Sequence, residues 1–402
     1  MNGTSKDMRT ELEEWYKETV LPKIIKKFGG NCDKVTLEIK VPGNAFFISS
    51  VHFVNVKFEN GQTISTFVKK PPIVLPCDMN FHLSELFGNE ILFYREIAST
   101  AKRFPRCIYI SENANDLKNT AIVIENIECM DYKMCPAQYD IPYNYIISGI
   151  QEIARFHAMG YLMKTHDNVK FSKIVNKIQE SRYFKGEWQE IVMNIVAVRP
   201  TNYLRKNKYD EDFCDKMEKY LKNAYNGTRE IIKPCEPLAV LCHGDFTRNN
   251  IFYRQLGDTL ESMLVDFATI RYASPAIDLS TFLYVSCSAK DIIQNFQDIF
   301  EIYHDTLINA LQDGGMKEIA AYSYDKLLAD YRRHALYGYV IGVFFNPAQR
   351  GLITVDLTEL SIAKMREMAE SALHAGGDDF SKEVADLLIN LRETGCLDHI
   401  IV

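Results

Sequence analysis

Two short stretches hold the residue types best suited to chemistry. The first is Leu241-Cys242-His243-Gly244-Asp245-Phe246-Thr247-Arg248-Asn249-Asn250-Ile251, a His-Gly-Asp with an Asn five residues after the Asp. The second is Leu264-Val265-Asp266-Phe267-Ala268, an Asp-Phe pair directly after an apolar run. Between them, Ile251-Phe252-Tyr253 and Met263-Leu264-Val265 read as strands joined by a turn at Gly257-Asp258. That hairpin sets Asn250 and Asp266 side by side. Two neighbouring oxygen ligands suit a hard cation such as Mg2+ carried by a nucleotide. Asp245, at the mouth of the same cleft, is placed to take a proton from an attacking hydroxyl, so the set suits phosphoryl transfer.

The elements that must position these groups follow from periodicity. Residues 8–28 have a helical apolar face, with Pro22 a point where the helix kinks or splits. Runs 34–40, 46–58 and 63–69 alternate as strands, and Asn60-Gly61 marks a hairpin. Lys69 ends the third strand, either as a phosphate contact or as a solvated lysine, with Lys70 the local alternative on the opposite face. Residues 84–100 read as a helix with Ser84 as N-cap. Glu90 lies among its apolar positions, where a carboxylate needs a partner; Lys69 is the obvious one, with an exposed place at the helix edge as the alternative. The run Ala121–Ile127 reads as a buried strand. The chain before about residue 128 is mostly strand, and the chain after it mostly helix.

In the second part a helix is expected at 143–163, with His157 as a hydrogen-bonded core histidine. Residues 168–232 are helical in pattern, and 237–242 form a short buried strand leading to His243. A helix begins near Ser274-Pro275, where Asp278 in its first turn can point back and hold the loop. Further helices are expected at 289–312, 323–345, 357–375 and 380–394.

Bulk properties narrow the class. The 402 residues are 47% hydrophobic and 25% charged with a net charge of -7, as in a globular protein of two packed units. The acidic balance disfavours nucleic acid and anionic membranes as partners. The ten cysteines include no C-x-x-C pair, which argues against structural zinc. With no apolar leader and no spanning stretch, they are expected to be reduced thiols in the cytoplasm.

The chain resembles the ecdysteroid kinase-like family, within the protein-kinase-like group that includes aminoglycoside and choline kinases. The residues that carry the likeness are Phe67-Val68-Lys69, Glu90 to Tyr94, Ile124-Glu125-Asn126-Ile127, Ala154-Arg155-Phe156-His157-Ala158, His243-Gly244-Asp245-Phe246, Asn249-Asn250-Ile251, Val265-Asp266-Phe267 and Arg271 to Pro275 with Asp278-Leu279. The resemblance implies an α+β, two-lobed protein-kinase-like fold: an N-lobe (1–128) with antiparallel sheet plus helix, and a mostly helical C-lobe (129–402). It implies ATP between the lobes, Asp245 as base, Asn250 and Asp266 as Mg2+ ligands, and Lys69 as phosphate clamp held by Glu90. The connector Glu125–Ile127 would meet the adenine through its backbone. A phosphate cradle would fall on loop 42–49, ending at Ser49, although the loop has one glycine. The implied acceptor is a small-molecule alcohol, steroid-like or xenobiotic. Thr247 and Ala268 stand where the family usually has Trp and Gln, so a degenerate, non-catalytic binding protein is a second reading. A choline-like alcohol kinase is a third.

Overall fold

The computed structural model describes residues 10–28, 35–41, 49–72, 81–113, 117–184, 187–354 and 361–401. Loop 42–49, apart from Ser49, lies outside them. Two compact units divide the chain: Met1–Leu75 with Glu90–Tyr132, and Pro76–Asn89 with Lys133–Val402.

In the smaller unit the strands are β1 (Val35–Lys40), β2 (Ser50–Phe58), β3 (Thr63–Lys70), β4 (Cys107–Ser111) and β5 (Ala121–Glu125). They form one antiparallel sheet in the order β1-β2-β3-β5-β4. Gly61 takes φ +84° at the Asn-Gly turn, a conformation that costs a residue without Cβ little. The N-terminal helix covers one sheet face, burying Leu12, Tyr16, Val20, Leu21 and Ile24 against Ile39, Val54, Val56, Val68 and Val123. The Tyr16 hydroxyl meets Thr66 Oγ1 at 2.8 Å, and Thr66 Oγ1 donates to the Val54 carbonyl at 3.1 Å. The kink expected at Pro22 is instead a wide π-type turn over Tyr16–Val20, just upstream. A proline ring clashes with the carbonyl four residues before it, here Glu18, and the widened turn makes room there.

In the larger unit β6 (Lys133–Met134), β8 (Ile251–Leu256) and β9 (Thr259–Leu264) make a three-stranded sheet in the order β6-β8-β9. β7 (Val240–Cys242) pairs antiparallel with β10 (Arg271–Ala273). The rest is helical, so an antiparallel-sheet unit and a larger helical unit are both present as expected. The central helix Tyr143–His166 buries Ile146, Ile150, Ile153, Phe156, His157 and Tyr161. Every residue of the helix Ala276–Ser286 is buried, which marks an element enclosed on all sides.

Some boundaries differ from expectation. The helix expected at 84–100 runs Leu83–Glu96, because the His82 carbonyl already accepts from Leu86 N–H, so Ser84 lies inside the first turn. The single helix expected at 323–345 is two, Tyr324–His334 and Leu336–Gln349. There His334 Nδ1 meets the Asp330 carbonyl at 2.7 Å, and the Gly338 N–H donates to the Ser280 hydroxyl at 3.2 Å, side-chain bonds that accompany the break. The eight described cysteines form no disulfide. No described helix is long and apolar enough to cross a membrane.

The crossing of Ala276–Ser286 with Leu336–Gln349 depends on glycine. A Cβ on Gly338 would lie 2.1 Å from the Ser280 carbonyl carbon, and one on Gly342 would lie 2.5 Å from the Tyr284 oxygen. Gly338→Ala is therefore expected to destabilise the fold by about 3 kcal/mol, read as a lowered midpoint in urea unfolding.

Candidate active site

The loop after β7 is shaped by backbone groups. Gly244 takes φ +82°, and a Cβ there would lie 1.9 Å from the Thr269 carbonyl oxygen. No side chain fits that position. The Asp278 carboxylate, fully buried, accepts from His243 N–H at 2.7 Å and from Gly244 N–H at 2.8 Å. His157 Nε2 lies 3.1 Å from the same carboxylate, and its Nδ1 lies 2.8 Å from the Tyr303 hydroxyl. His157 is thus the core histidine expected, and Asp278 does hold the loop. Burial alone would raise the Asp278 pKa, but the hydrogen bond and charge of His157, the charge of His243 and the Gly244 N–H outweigh it and hold the pKa below its ordinary value.

His157, Cys242 and Asp278 bring ligand-type atoms within 4.8 Å of one another. The set reads as structural. The Asp278 oxygens are already engaged, the Cys242 thiol points at the Ala273 and Ser274 carbonyls, and burial raises its pKa far above the usual value.

Asp245 follows Gly244 with its side chain 38% exposed, so a substrate can reach it. Asn250 Nδ2 donates to Asp245 Oδ2 at 2.9 Å and to the Asp245 carbonyl at 2.8 Å. The strand register pairs Ile251 with Leu264, and Val265 N–H donates to the Asn250 carbonyl at 3.0 Å. This tie sets Asn250 next to Val265 and hence to Asp266. Asp266 takes φ +63°, a left-handed conformation that Asp tolerates better than most residues. Phe267 anchors the turn, fully buried against His243 and Phe156 at ring distances of 4.7 and 5.6 Å. The donor set fits Mg2+. With Asn250 Nδ2 spent on Asp245, Oδ1 has no partner among the described residues, and a carboxylate follows the paired Val265.

Thr247 and Ala268 serve this region through their backbones. The Thr247 carbonyl accepts from Asn250 N–H at 3.0 Å, and the Ala268 carbonyl accepts from Asn89 Nδ2 at 3.3 Å.

Residues missed in the sequence complete this half. Glu180 Oε1 accepts from the N–H groups of Ser181, Arg182 and Tyr183 at 3.0, 2.8 and 3.1 Å. The turn so fixed presents Arg182, whose Nη2 lies 3.5 Å from Asp245 Oδ1 and whose Nη1 donates to the Tyr337 hydroxyl at 3.1 Å. Arg271 on β10 lies 3.6 Å from Glu180 Oε2. The only sequence signal was Arg271 within the matched stretch Arg271 to Pro275, where it had no role.

In the smaller unit Lys69 Nζ and Glu90 Oε2 lie 2.7 Å apart, both residues buried. The charged pair excludes the solvated reading of Lys69. Lys70 points elsewhere, its ammonium 4.0 Å from the centre of the Trp15 ring, and burial lowers its pKa. Glu125 pairs with Thr66 across the sheet and meets Arg106 at 3.3 Å. Ile127 is buried, and its carbonyl accepts from Tyr132 N–H at 3.3 Å. Ser49 is half-buried just before β2.

A groove of about 590 Å³, lined by Tyr220, Asn226, Glu230, Arg333, His334 and His399 among others, opens in the larger unit. It includes none of the candidate site residues.

The profile of the ecdysteroid kinase-like family matches residues 43–316. No curated protein matches the chain significantly. Among solved structures, an ethanolamine kinase from Plasmodium vivax is 12% identical with a TM-score of 0.42, covering 84% of this chain and 82% of its own. A microcompartment-associated aminopropanol kinase is 10% identical with a TM-score of 0.43, covering 94% and 98%. At these scores the likeness carries no weight on function.

Asp278 gives the site a measurable stability signature. Its folded pKa is depressed, so its contribution is fully present above its ordinary value of 3.8 and is lost as pH falls through the folded pKa. Asp278→Asn is expected to cost about 3 kcal/mol at pH 7 and to flatten this part of the acid-side loss. Urea unfolding between pH 7 and 3 reads both.

Proposed function

The chain belongs to the ecdysteroid kinase-like family, and we propose that it is an ATP-dependent small-molecule kinase that phosphorylates a hydroxyl of a lipophilic, steroid-like or xenobiotic alcohol. The observation that carries this reading is Asp245, half-exposed on a loop whose backbone Asp278 fixes and whose own oxygen Asn250 holds. A base aimed in this way accepts the acceptor's proton as the oxygen–phosphorus bond forms, and most of the acceleration comes from positioning and charge.

The other roles follow from chemistry. Lys69, kept in place by Glu90, grips nucleotide phosphates. The backbone of Glu125–Ile127 meets the adenine, and Ser49 lies by the phosphates. Asn250 Oδ1 and the Asp266 carboxylate hold Mg2+, which offsets charge on the phosphates. In this reading residues 1–128 handle the nucleotide and 129–402 the chemistry and the acceptor. The eight described cysteines, all free thiols, are compatible with a cytoplasmic setting.

The helix Leu336–Gln349 supports a lipophilic acceptor. Its Tyr337 touches Arg182 beside Asp245. Seven residues on, roughly 10 Å along the same face, Phe344 meets Trp188 and, with Phe81, Ile353 and Met368, packs partly buried against the core of Val192, Val196, Met365, Ala369 and Ala372. Such a surface suits a hydrocarbon skeleton. Two arginines beside Asp245 oppose a quaternary ammonium there, which disfavours the choline-like reading. The backbone roles of Thr247 and Ala268 do not need the family's usual side chains, which favours an active enzyme over a degenerate one.

Mg-ATP is expected to raise the melting temperature, and ADP release should appear on a panel of steroid and xenobiotic alcohols. Neither response on the full panel would sink the proposal. Asp245→Asn should lower kcat by about 100-fold or more while Mg-ATP binding, by titration calorimetry, stays within about twofold. Lys69→Met should instead weaken Mg-ATP binding by about tenfold, on the scale of one charge-assisted contact.

A further inference from the structure

Arg182 and Arg271 bring two guanidinium groups to the same turn of the larger unit. Arg182 reaches Asp245 Oδ1 at 3.5 Å. A Cβ placed on Gly244 would lie 3.3 Å from Arg271 Nε, so that nitrogen sits over the loop one residue before Asp245. Both side chains are largely buried, at 14% and 9% exposure.

Together they carry ten N–H bonds, and few acceptors meet them. Arg182 has the Tyr337 hydroxyl at 3.1 Å and one Asp245 oxygen at 3.5 Å. Arg271 Nε is buried with no hydrogen-bond partner among the described residues. Its nearest carboxylate, Glu180, stands at 3.6 Å, longer than a hydrogen bond, with its other oxygen already accepting three backbone N–H groups. Ser181 Oγ, the neighbour of Arg182, is also buried and unpartnered. Leaving buried donors of a charged group unmet is costly. A tetrahedral oxyanion presents three or four acceptors in the geometry that guanidinium forks match.

We propose that Arg182 and Arg271 form a binding site for a phosphoryl- or sulfate-type oxyanion beside Asp245. Glu180 fixes the turn that carries Arg182, and Tyr337 holds its guanidinium. The proposal adds to the kinase reading and rests on it only for the site's place in the reaction. The oxyanion is either the phosphoryl group in transit or an anionic substituent on the acceptor.

The test uses the full chain without nucleotide, with inorganic phosphate and sulfate as probes and acetate as the planar control, followed by titration calorimetry. Phosphate and sulfate should bind with dissociation constants on the order of 1 mM and more tightly than acetate. Arg182→Met should weaken them by about tenfold or more and Arg182→Lys by less, with Mg-ADP affinity unchanged in both. Tyr337→Phe, which keeps the ring, should weaken phosphate about threefold and serves if Arg182→Met does not fold. Fluoroaluminate with Mg-ADP tests the group in transit, and a steroid sulfate against its parent alcohol tests the substituent. An Arg182-dependent gain in either arm supports the site and names its source. Absent phosphate and sulfate binding, or equal binding to wild type and Arg182→Met, overturns it. Phosphate binding without Mg-ATP binding would instead remove the kinase reading and leave this site standing.

Discussion

One buried carboxylate sets the geometry of the candidate site. Asp278 is removed from water on the first turn of a helix that is itself fully enclosed. An ion in such a place is stable only if its lone pairs are met. Here they are met by two consecutive backbone N–H groups and a histidine. Those N–H groups belong to His243 and Gly244, so satisfying the charge dictates the path of the chain into Asp245. The restriction works in both directions. Gly244 must lack a side chain to pass Thr269, and on that path both N–H groups reach Asp278.

From this anchor the loop is held at three further points. Asn250 ties to both the backbone and the carboxylate of Asp245, β8 and β9 tie Asn250 to Val265, and Phe267 is buried against His243. Each tie is short in sequence, which keeps the ordering entropy of the loop low. The side chain of Asp245, by contrast, is left half-exposed. A rigid frame around an accessible functional group is what positioning catalysis requires.

Much of this was legible in the sequence, and the physical reason is locality. Asn250 and Asp266 flank one hairpin and Asp245 lies five residues before Asn250, so the spacing itself was informative. Glu90 was legible because a carboxylate among apolar helix positions demands a cation, and Lys69 was the nearest on a facing strand. Asp278 was legible because a helix's first turn points back toward the chain before it. The contact of Arg182 with Tyr337 spans 155 residues, and no periodicity encodes it. Glu180 bonds backbone groups, which leave no trace in residue type. The split between Tyr324–His334 and Leu336–Gln349 was hidden because every residue around His334 fits a helical pattern, while the Gly338 N–H turns to the Ser280 hydroxyl of a neighbouring helix. The π-type turn at Tyr16–Val20 was missed because its cause, Pro22, lies downstream of its effect.

The helix Leu336–Gln349 carries Tyr337 near one end and Phe344 seven residues on, and glycines at 338 and 342 lock it against its neighbour. One rigid rod therefore bears both the residue that steadies the arginine and a residue of the apolar cluster. Exchanges at Phe344 or its neighbours can change that cluster without moving Tyr337. On the proposed reading, the apolar end of the rod is free to vary while the end that steadies Arg182 stays unchanged.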